Sequence, residues 1–157
     1  GILLAIALVA AWGARLSTVI IAIAVPEIPR VTRLVRSLVL TIREEPYIEA
    51  AISLGTPTLA IMFRHILPNV VGPLVVAETL AIPGYISTEA FLSYIGLGVN
   101  PPTPSWGAMI SDGAQVVRTY PNQTLFPALA LAITMFAFNF LGDGLRDALD
   151  PRMRGTS

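Results

Sequence analysis

The sequence predicts an all-α membrane protein, a bundle of several transmembrane helices, and three observations support that prediction. First, 54% of the 157 residues are hydrophobic and only 13% are charged, whereas roughly 25% of the residues in an average soluble domain are charged. Second, the apolar residues form long runs, and no residue between Thr119 and Gly142 is charged. Third, Pro73 and Pro83 lie inside another apolar run, and transmembrane helices tolerate proline better than soluble helices do.

The composition also argues against several classes of function. Ten basic residues are balanced by ten acidic ones, whereas proteins that bind nucleic acid need a basic excess to neutralise phosphates. There is no Cys and only one His, so we expect neither a disulfide nor a metal site. The sequence contains no glycine-rich phosphate loop, and we expect this chain to bind no cofactor.

Two helices joined by a turn are predicted at the start of the chain. The expected spans cover residues 1–12 and 17–40, and Trp12, Gly13 and Arg15 interrupt the apolar sequence in a way that suits a turn at a water boundary. Because the chain opens on Gly and apolar sequence without a charged leader, we expect it to be the C-terminal part of a longer polypeptide.

The composition changes in residues 26–65, which contain five Arg and four Glu. Six apolar residues there recur at helical spacing and three Arg occupy the other side of the same helix. The apolar set is Val31, Leu34, Val35, Leu38, Val39 and Ile42, and the basic set is Arg30, Arg33 and Arg36. This spacing predicts an amphipathic helix, which either packs on neighbouring helices with a hydrated Arg face or lies on anionic lipid.

The segment 43–68 predicts two short helices separated by a glycine turn. Pro46 suits the first position of a helix that follows two acidic residues, and Gly55 suits a left-handed C-terminal cap. Thr56-Pro57 is expected to start the second helix, with the Thr hydroxyl as its cap. That second helix is expected to end at residues 67–69.

The first of these short helices has little side-chain bulk at Ala50 and Ala51. Another protein could therefore approach its backbone closely, and the helix would form a docking surface. The alternative that the spacing leaves open is a loop that packs on its own membrane domain.

Two further spans are predicted at residues 66–92 and 122–142, separated by a loop at 95–121 that is rich in Pro and Gly. Eight of the ten Arg lie in residues 26–65 or in the tail at 143–157. By the positive-inside rule these two segments are expected to be cytoplasmic, and the loop at 95–121 is expected on the outer face.

One set of residues occurs in the order Glu49-Ala50-Ala51, three residues, Gly55, nine residues and then His65-Ile66-Leu67-Pro68. This order resembles the EAA loop of permease subunits of bacterial ATP-binding-cassette importers. His65 stands where the general pattern has Ile. The run from Arg64 to Asn69 is nevertheless similar to the dipeptide, oligopeptide and nickel branch of those permeases. Further runs match that branch in the same order along the chain: Glu89-Ala90-Phe91-Leu92-Ser93, Gly96-Leu97-Gly98, Pro104-Ser105-Trp106-Gly107, Ala137-Phe138-Asn139 and Leu141-Gly142-Asp143-Gly144-Leu145-Arg146-Asp147.

The resemblance implies a six-helix core, of which this chain would supply the end of the third helix through the sixth. It also implies a paired permease subunit, two cytoplasmic ATPases that bind ATP and Mg, an external solute-binding protein and a place in the bacterial inner membrane. The residues that it assigns to ATPase coupling are Glu49, Ala50, Ala51, Ile52, Gly55, His65, Leu67 and Pro68. The expected substrates are di- or oligopeptides, with nickel or another small solute as the alternative, and no catalytic residue is expected in this chain.

Three polar residues within the predicted spans are candidates for the transport pathway, namely Glu78, Glu89 and Asn139. A carboxylate in a span is costly and commonly functional, so either glutamate could line the pathway or hydrogen-bond a neighbouring helix. For Asn139 a hydrogen bond to another helix is favoured over contact with substrate. His65 suits a structural role better than proton transfer, because no acidic residue lies at helical spacing from it.

Other functions remain as alternatives. An intramembrane enzyme would use Glu78 or Glu89 as acid or base, but the sequence offers no nucleophile and base at workable spacing. An ion-coupled carrier would need more polar residues in the spans. The outer run at 101–107 could dock a binding protein or cap the pathway, and the cap is favoured. The charged residues of the tail are expected to form a solvated helix end.

Overall fold

The computed structural model describes residues 1–149, which form seven α-helices and one π-helical turn and contain no β-strand. The α-helices are α1 (Ile2–Trp12), α2 (Leu16–Arg43), α3 (Pro46–Ser53), α4 (Thr58–Ile61), α5 (Leu67–Tyr94), α6 (Trp106–Gln115) and α7 (Asn122–Leu149), and the π-helical turn is Met62–Ile66. The predicted helical fold class is confirmed for these residues. The end of the predicted tail, with Asp150, Arg152 and Arg154, lies outside the described residues.

The chain divides into two compact units. The first unit consists of residues 1–28 and 81–140, and the second consists of residues 29–80 and the chain from 141 onward. Helices α2, α5 and α7 each contribute residues to both units.

The core of the first unit lies where α1, the start of α2 and the end of α5 meet. Ala5, Val9, Val19, Ala22 and Leu92 are buried there. The two alanines allow the helix backbones to approach closely, as small residues do in helix pairs within membranes. The predicted turn after Trp12 joins α1 to α2.

The segment 95–121, predicted to be an outer loop, contains the helix α6. Ser105 precedes this helix in an extended conformation. Gly107, in its first turn, lies so close to the backbone carbonyl of Ala90 that a Cβ atom there would overlap it. The segment is therefore packed against α5 instead of forming an open loop.

The apolar run and the amphipathic segment of residues 16–43 belong to one helix, α2, of 28 residues. The change in composition near residue 26 is therefore not a helix boundary. Arg30, Arg33 and Arg36 lie in the second half of this same helix.

The predicted end of the second short helix at residues 67–69 is wrong, since the chain passes from α4 through the π-helical turn directly into α5. Pro68 has no backbone N–H, and its ring would collide with the carbonyl four residues earlier in a regular α-helix. The wider turn just before it, in which the Leu67 N–H bonds to the Met62 oxygen, offers a physical reason why the helix continues.

The predicted start of that helix is also wrong in detail. Pro57 is the residue before α4 and has an extended ψ of 143°, and α4 begins at Thr58. No side chain caps α4, so Thr56 does not act as the expected hydroxyl cap.

Two helical stretches within residues 1–149 are long and apolar enough to cross a membrane, namely Thr58–Tyr94 and Asn122–Leu149, and each contains an 18-residue window with a mean hydropathy of 1.6 and 1.9, respectively. They contain the predicted spans at 66–92 and 122–142. Helix α1 is apolar but has only 11 residues. The arrangement with four spans therefore stays a prediction.

Candidate functional site

The EAA-like residues lie on and just after α3, a short helix with one buried anchor. Glu45 precedes the helix and Pro46 is its first residue, as predicted. Ile48 is only 1% exposed and anchors the helix, whereas Glu49, Ala50 and Ile52 are exposed. The helix is therefore held at Ile48 and exposed over much of its remaining surface.

Helix α3 ends in a sharp turn at Gly55, whose φ of 75° lies in the left-handed region that favours glycine. The N–H of Gly55 bonds to the Ile52 oxygen at 2.9 Å, and the N–H of Thr56 bonds to the Ala51 oxygen at 3.1 Å. These two bonds form a Schellman motif, which satisfies carbonyls at the end of a helix. The predicted left-handed cap at Gly55 is confirmed. We call residues 46–57, which include α3 and this turn, the α3 elbow.

Exposed apolar side chains lie on the α3 elbow and on the chain directly after it. They are Ile52 and Leu54 in the elbow and Leu59, Met62 and Phe63 after it. Leu54 is 86% exposed at the tip of the turn. Among the described residues none donates a hydrogen bond to the exposed carboxyl group of Glu49. The elbow thus presents apolar side chains together with one carboxyl group, a combination suited to docking on a protein.

The α3 elbow is tied to the start of α5 by Tyr47 and Asn69, two residues that the sequence analysis did not select. The Asn69 Nδ2 donates to the Tyr47 hydroxyl at 3.2 Å and to the His65 backbone oxygen at 2.7 Å. The rings of Tyr47 and His65 lie 6.2 Å apart at an angle of 56°. His65 therefore forms part of this tie, and Leu67 and Pro68 lie next to it with exposed side chains.

Glu78, in α5, pairs with a basic residue of α2. The Arg30 Nη2 donates to the Glu78 Oε1 at 2.9 Å, and the two side chains are 39% and 34% exposed. The spacing of Arg30 predicts only that it lies on the hydrated face of the amphipathic helix. Nothing in the sequence connects it to a residue 48 positions away.

Glu89 lies in the first unit and has a different environment. Its Oε1 accepts hydrogen bonds from the Ser93 hydroxyl at 2.7 Å and from the Ser105 hydroxyl at 2.8 Å. Both serines are buried. Ser105 occupies the position before α6 at which a hydroxyl commonly caps a helix, but here no side-chain cap bond forms and the hydroxyl donates to Glu89. We call Glu89, Ser93, Ser105 and Gly107 the Glu89 junction.

Asn139 lies in α7 with an exposed side chain. Its Nδ2 donates to the Met135 backbone oxygen at 3.0 Å within the same helix. The hydrogen bond that the structure gives it is thus local, and its place in a transport pathway stays a prediction.

Residues 1–149 contain no group of three His, Cys, Asp or Glu side chains that could hold a metal ion.

Comparisons with known proteins agree on one family. Residues 1–155 match the family described as binding-protein-dependent transport system inner membrane component. The chain is 48% identical over 155 residues to the glutathione transport system permease protein GsiD of Escherichia coli O1:K1 / APEC, and equally to the proteins of the same name from Shigella flexneri serotype 5b (strain 8401) and Shigella boydii serotype 4 (strain Sb227). Each match covers 99% of this chain and 51% of the relative. The chain therefore spans about half the length of these relatives.

Proposed function

Because this chain belongs to the family of binding-protein-dependent transport system inner membrane components, we propose that it forms part of the permease subunit of an ATP-driven importer of di- or oligopeptides. It would contribute to one half of the translocation pathway and receive its driving force through the α3 elbow. The single observation that carries the proposal is this elbow, which is held by one buried residue and exposes an apolar tip and the Glu49 carboxyl group.

The names of the relatives support a peptide-like substrate. They are glutathione transport permeases, and glutathione is a short peptide with a free amino group and two carboxylates. That chemistry favours a peptide over nickel within the same branch. The relatives are transport proteins and not enzymes, so the alternative of an intramembrane enzyme that uses Glu78 or Glu89 is not supported.

The proposed partners follow from this role. The subunit would pair with a related permease, bind two cytoplasmic ATPases that carry ATP and Mg, and receive solute from an external binding protein. The α3 elbow and the C-terminal tail would lie in the cytoplasm of a bacterium, and the segment with α6 would lie on the outer face.

The proposed coupling step uses contacts within the second unit. The exposed side chains of Ile52 and Leu54 would be buried in a cleft of the ATPase, while Glu49 accepts hydrogen bonds from it. When ATP binding moves the ATPases, the elbow would follow as a rigid body, because Ile48 and the bond between Tyr47 and Asn69 attach it to the chain. The π-helical turn leads without interruption into α5, so the movement would reach a candidate membrane helix directly.

The sharpest test is to place a charge at the tip of the elbow, with the assembled importer purified from the membrane. Burial of a leucine side chain contributes about 2 kcal/mol, so Leu54→Asp is expected to weaken binding of the ATPase by more than about tenfold. Thr119→Asp adds the same charge at an exposed position between α6 and α7, outside the predicted spans and away from the elbow in the chain, and serves as the control. Co-purification of the ATPase with the subunit is the measurement.

The two outcomes are distinct. Loss of the ATPase from the Leu54→Asp complex, with retention in the Thr119→Asp complex, supports the proposal. Equal amounts of ATPase with both variants, or no ATPase with the unaltered subunit, would contradict it.

A further inference from the structure

A cavity of about 450 Å³ lies beside the Glu89 junction, entirely within the first unit. Glu89, Ser105, Trp106 and Met109 are among the residues that line it. Its volume falls in the range of about 300–1,000 Å³ that is usual for small-molecule sites. The function proposed above assigns no ligand to this cavity.

The wall of the cavity is largely apolar, with one carboxyl group in it. The Oε1 of Glu89 is held by two hydroxyl donors at 2.7 and 2.8 Å, which fixes the orientation of the whole group. Among the described residues, none donates a hydrogen bond to the other oxygen, Oε2, and no Arg pairs with this carboxyl group. One oxygen is therefore fully engaged and the other is available.

The tie to Ser93 and Ser105 does not by itself require a charge. The amide oxygen of a glutamine can also accept hydrogen bonds from two hydroxyls, although each bond is weaker than one to a carboxylate. An ionised carboxyl group in an apolar wall is costly unless an opposite charge or further donors compensate it. A cation with N–H donors in the cavity would supply such compensation.

We propose that this cavity binds the α-ammonium group of the transported peptide, with Glu89 as its counter-charge. This inference rests on the proposed function, since it takes a peptide as the substrate. An ammonium group supplies three N–H donors for the free Oε2. Trp106 adds an indole ring, the side chain on which cations bind best through the aromatic face. The buried serines hold the carboxyl group in place before the ligand arrives, which lowers the entropic cost of binding.

The test uses two small probes and the assembled complex that contains the subunit, without nucleotide or binding protein. Glycylglycine amide carries one positive charge, and N-acetylglycylglycine amide has the same backbone without it. The tryptophans are labelled with fluorine, the signal of Trp106 is assigned with Trp106→Phe, and its chemical shift is followed by NMR as each probe is added.

We expect a saturable shift with the charged probe and none with the acetylated probe over the same concentrations. Glu89→Gln keeps the acceptor for both serines but removes the charge, and it is expected to weaken binding of the charged probe by at least about tenfold, equivalent to about 1.4 kcal/mol. Ser105→Ala removes one hydrogen bond but keeps the charge, and it is expected to change the affinity less than about threefold.

Equal shifts with the two probes, no shift with either, or an unchanged affinity in Glu89→Gln would overturn the inference. If Glu89→Gln does not assemble, the two probes on the unaltered complex decide the question. A complex that retains ATP-driven import but does not distinguish the probes contradicts only this inference. A subunit that does not recruit an ATPase contradicts the proposed function instead, whatever the probes show.

Discussion

Helix α3, which belongs to the α3 elbow, and helix α5, which carries Glu89 and Ser93 of the Glu89 junction, end in the same backbone motif. At the elbow the motif is closed by the N–H groups of Gly55 and Thr56, and at the end of α5 it is closed by those of Gly96 and Leu97, which bond to the Ser93 and Leu92 oxygens at 3.1 and 2.8 Å. Both glycines have a positive φ, 75° and 81°. The backbone of the two turns is thus nearly the same.

The chain after each turn is held in a different way. At the elbow the tip is exposed, and the side-chain bond between Tyr47 and Asn69 is exposed as well. At the junction two buried serines bond to one carboxyl group, and Gly107 lies directly against the backbone of α5. The elbow thus leaves its surface open, as the proposed docking on an ATPase requires, whereas the junction keeps the segment with α6 fixed on α5.

The largest loss of stability should come from adding a side-chain atom at Gly107 in the Glu89 junction. Gly107→Ala places a Cβ atom on the Ala90 carbonyl, and because neither backbone can yield cheaply, we expect a destabilisation of about 3 kcal/mol. Amide hydrogen exchange of residues 95–121 in the assembled complex is the measurement. Gly144→Ala, in α7, adds the same atom where nothing lies within 4 Å and should leave this exchange unchanged. Equal protection in both variants would mean that the junction is not rigid.

A smaller effect is expected at the turn of the elbow. Gly55→Val forces a β-branched residue into the left-handed region, at a cost of about 1–2 kcal/mol. The turn is expected to change its path, and substrate-stimulated ATP hydrolysis by the assembled importer should fall by about tenfold. Asn tolerates this backbone region, so Gly55→Asn should retain most of the stimulation. A similar loss of stimulated ATP hydrolysis in both variants would show that any side chain at residue 55 disturbs coupling, and that the left-handed backbone conformation is not the cause.

The weakest effect concerns the tie between the elbow and α5. Tyr47→Phe removes the hydroxyl that accepts the hydrogen bond from Asn69, and an exposed bond of this kind contributes about 0.5 kcal/mol. Substrate-stimulated ATP hydrolysis should fall by about twofold, with the ATPase still bound. Tyr120→Phe removes an exposed hydroxyl in the first unit and should have no effect. An unchanged rate in Tyr47→Phe would show that the buried Ile48 alone transmits the movement.

Much of the local structure could be predicted from the sequence. The helical fold, the turn between α1 and α2, Pro46 at the start of α3 and the left-handed Gly55 all follow from composition, spacing and the backbone preferences of Gly and Pro. The end of the second short helix could not be predicted, because Pro68 is compatible with a helix once a π-helical turn precedes it. That turn has no clear signal in the local sequence.

The order of the amino acids was enough to establish that this chain is helical, that its composition suits a membrane, and that a short helix ends at a glycine elbow, because these properties depend on residues close together in the chain. The hydrogen-bond partners of Glu78 and Glu89 were decided only by the folded chain. Eleven residues apart on α5, they carry the same sequence signal, yet one pairs with Arg30 and the other accepts from Ser93 and Ser105. An ion pair between residues 48 positions apart and a bond from Ser105 at the start of α6 depend on the path of the chain, which no local pattern specifies.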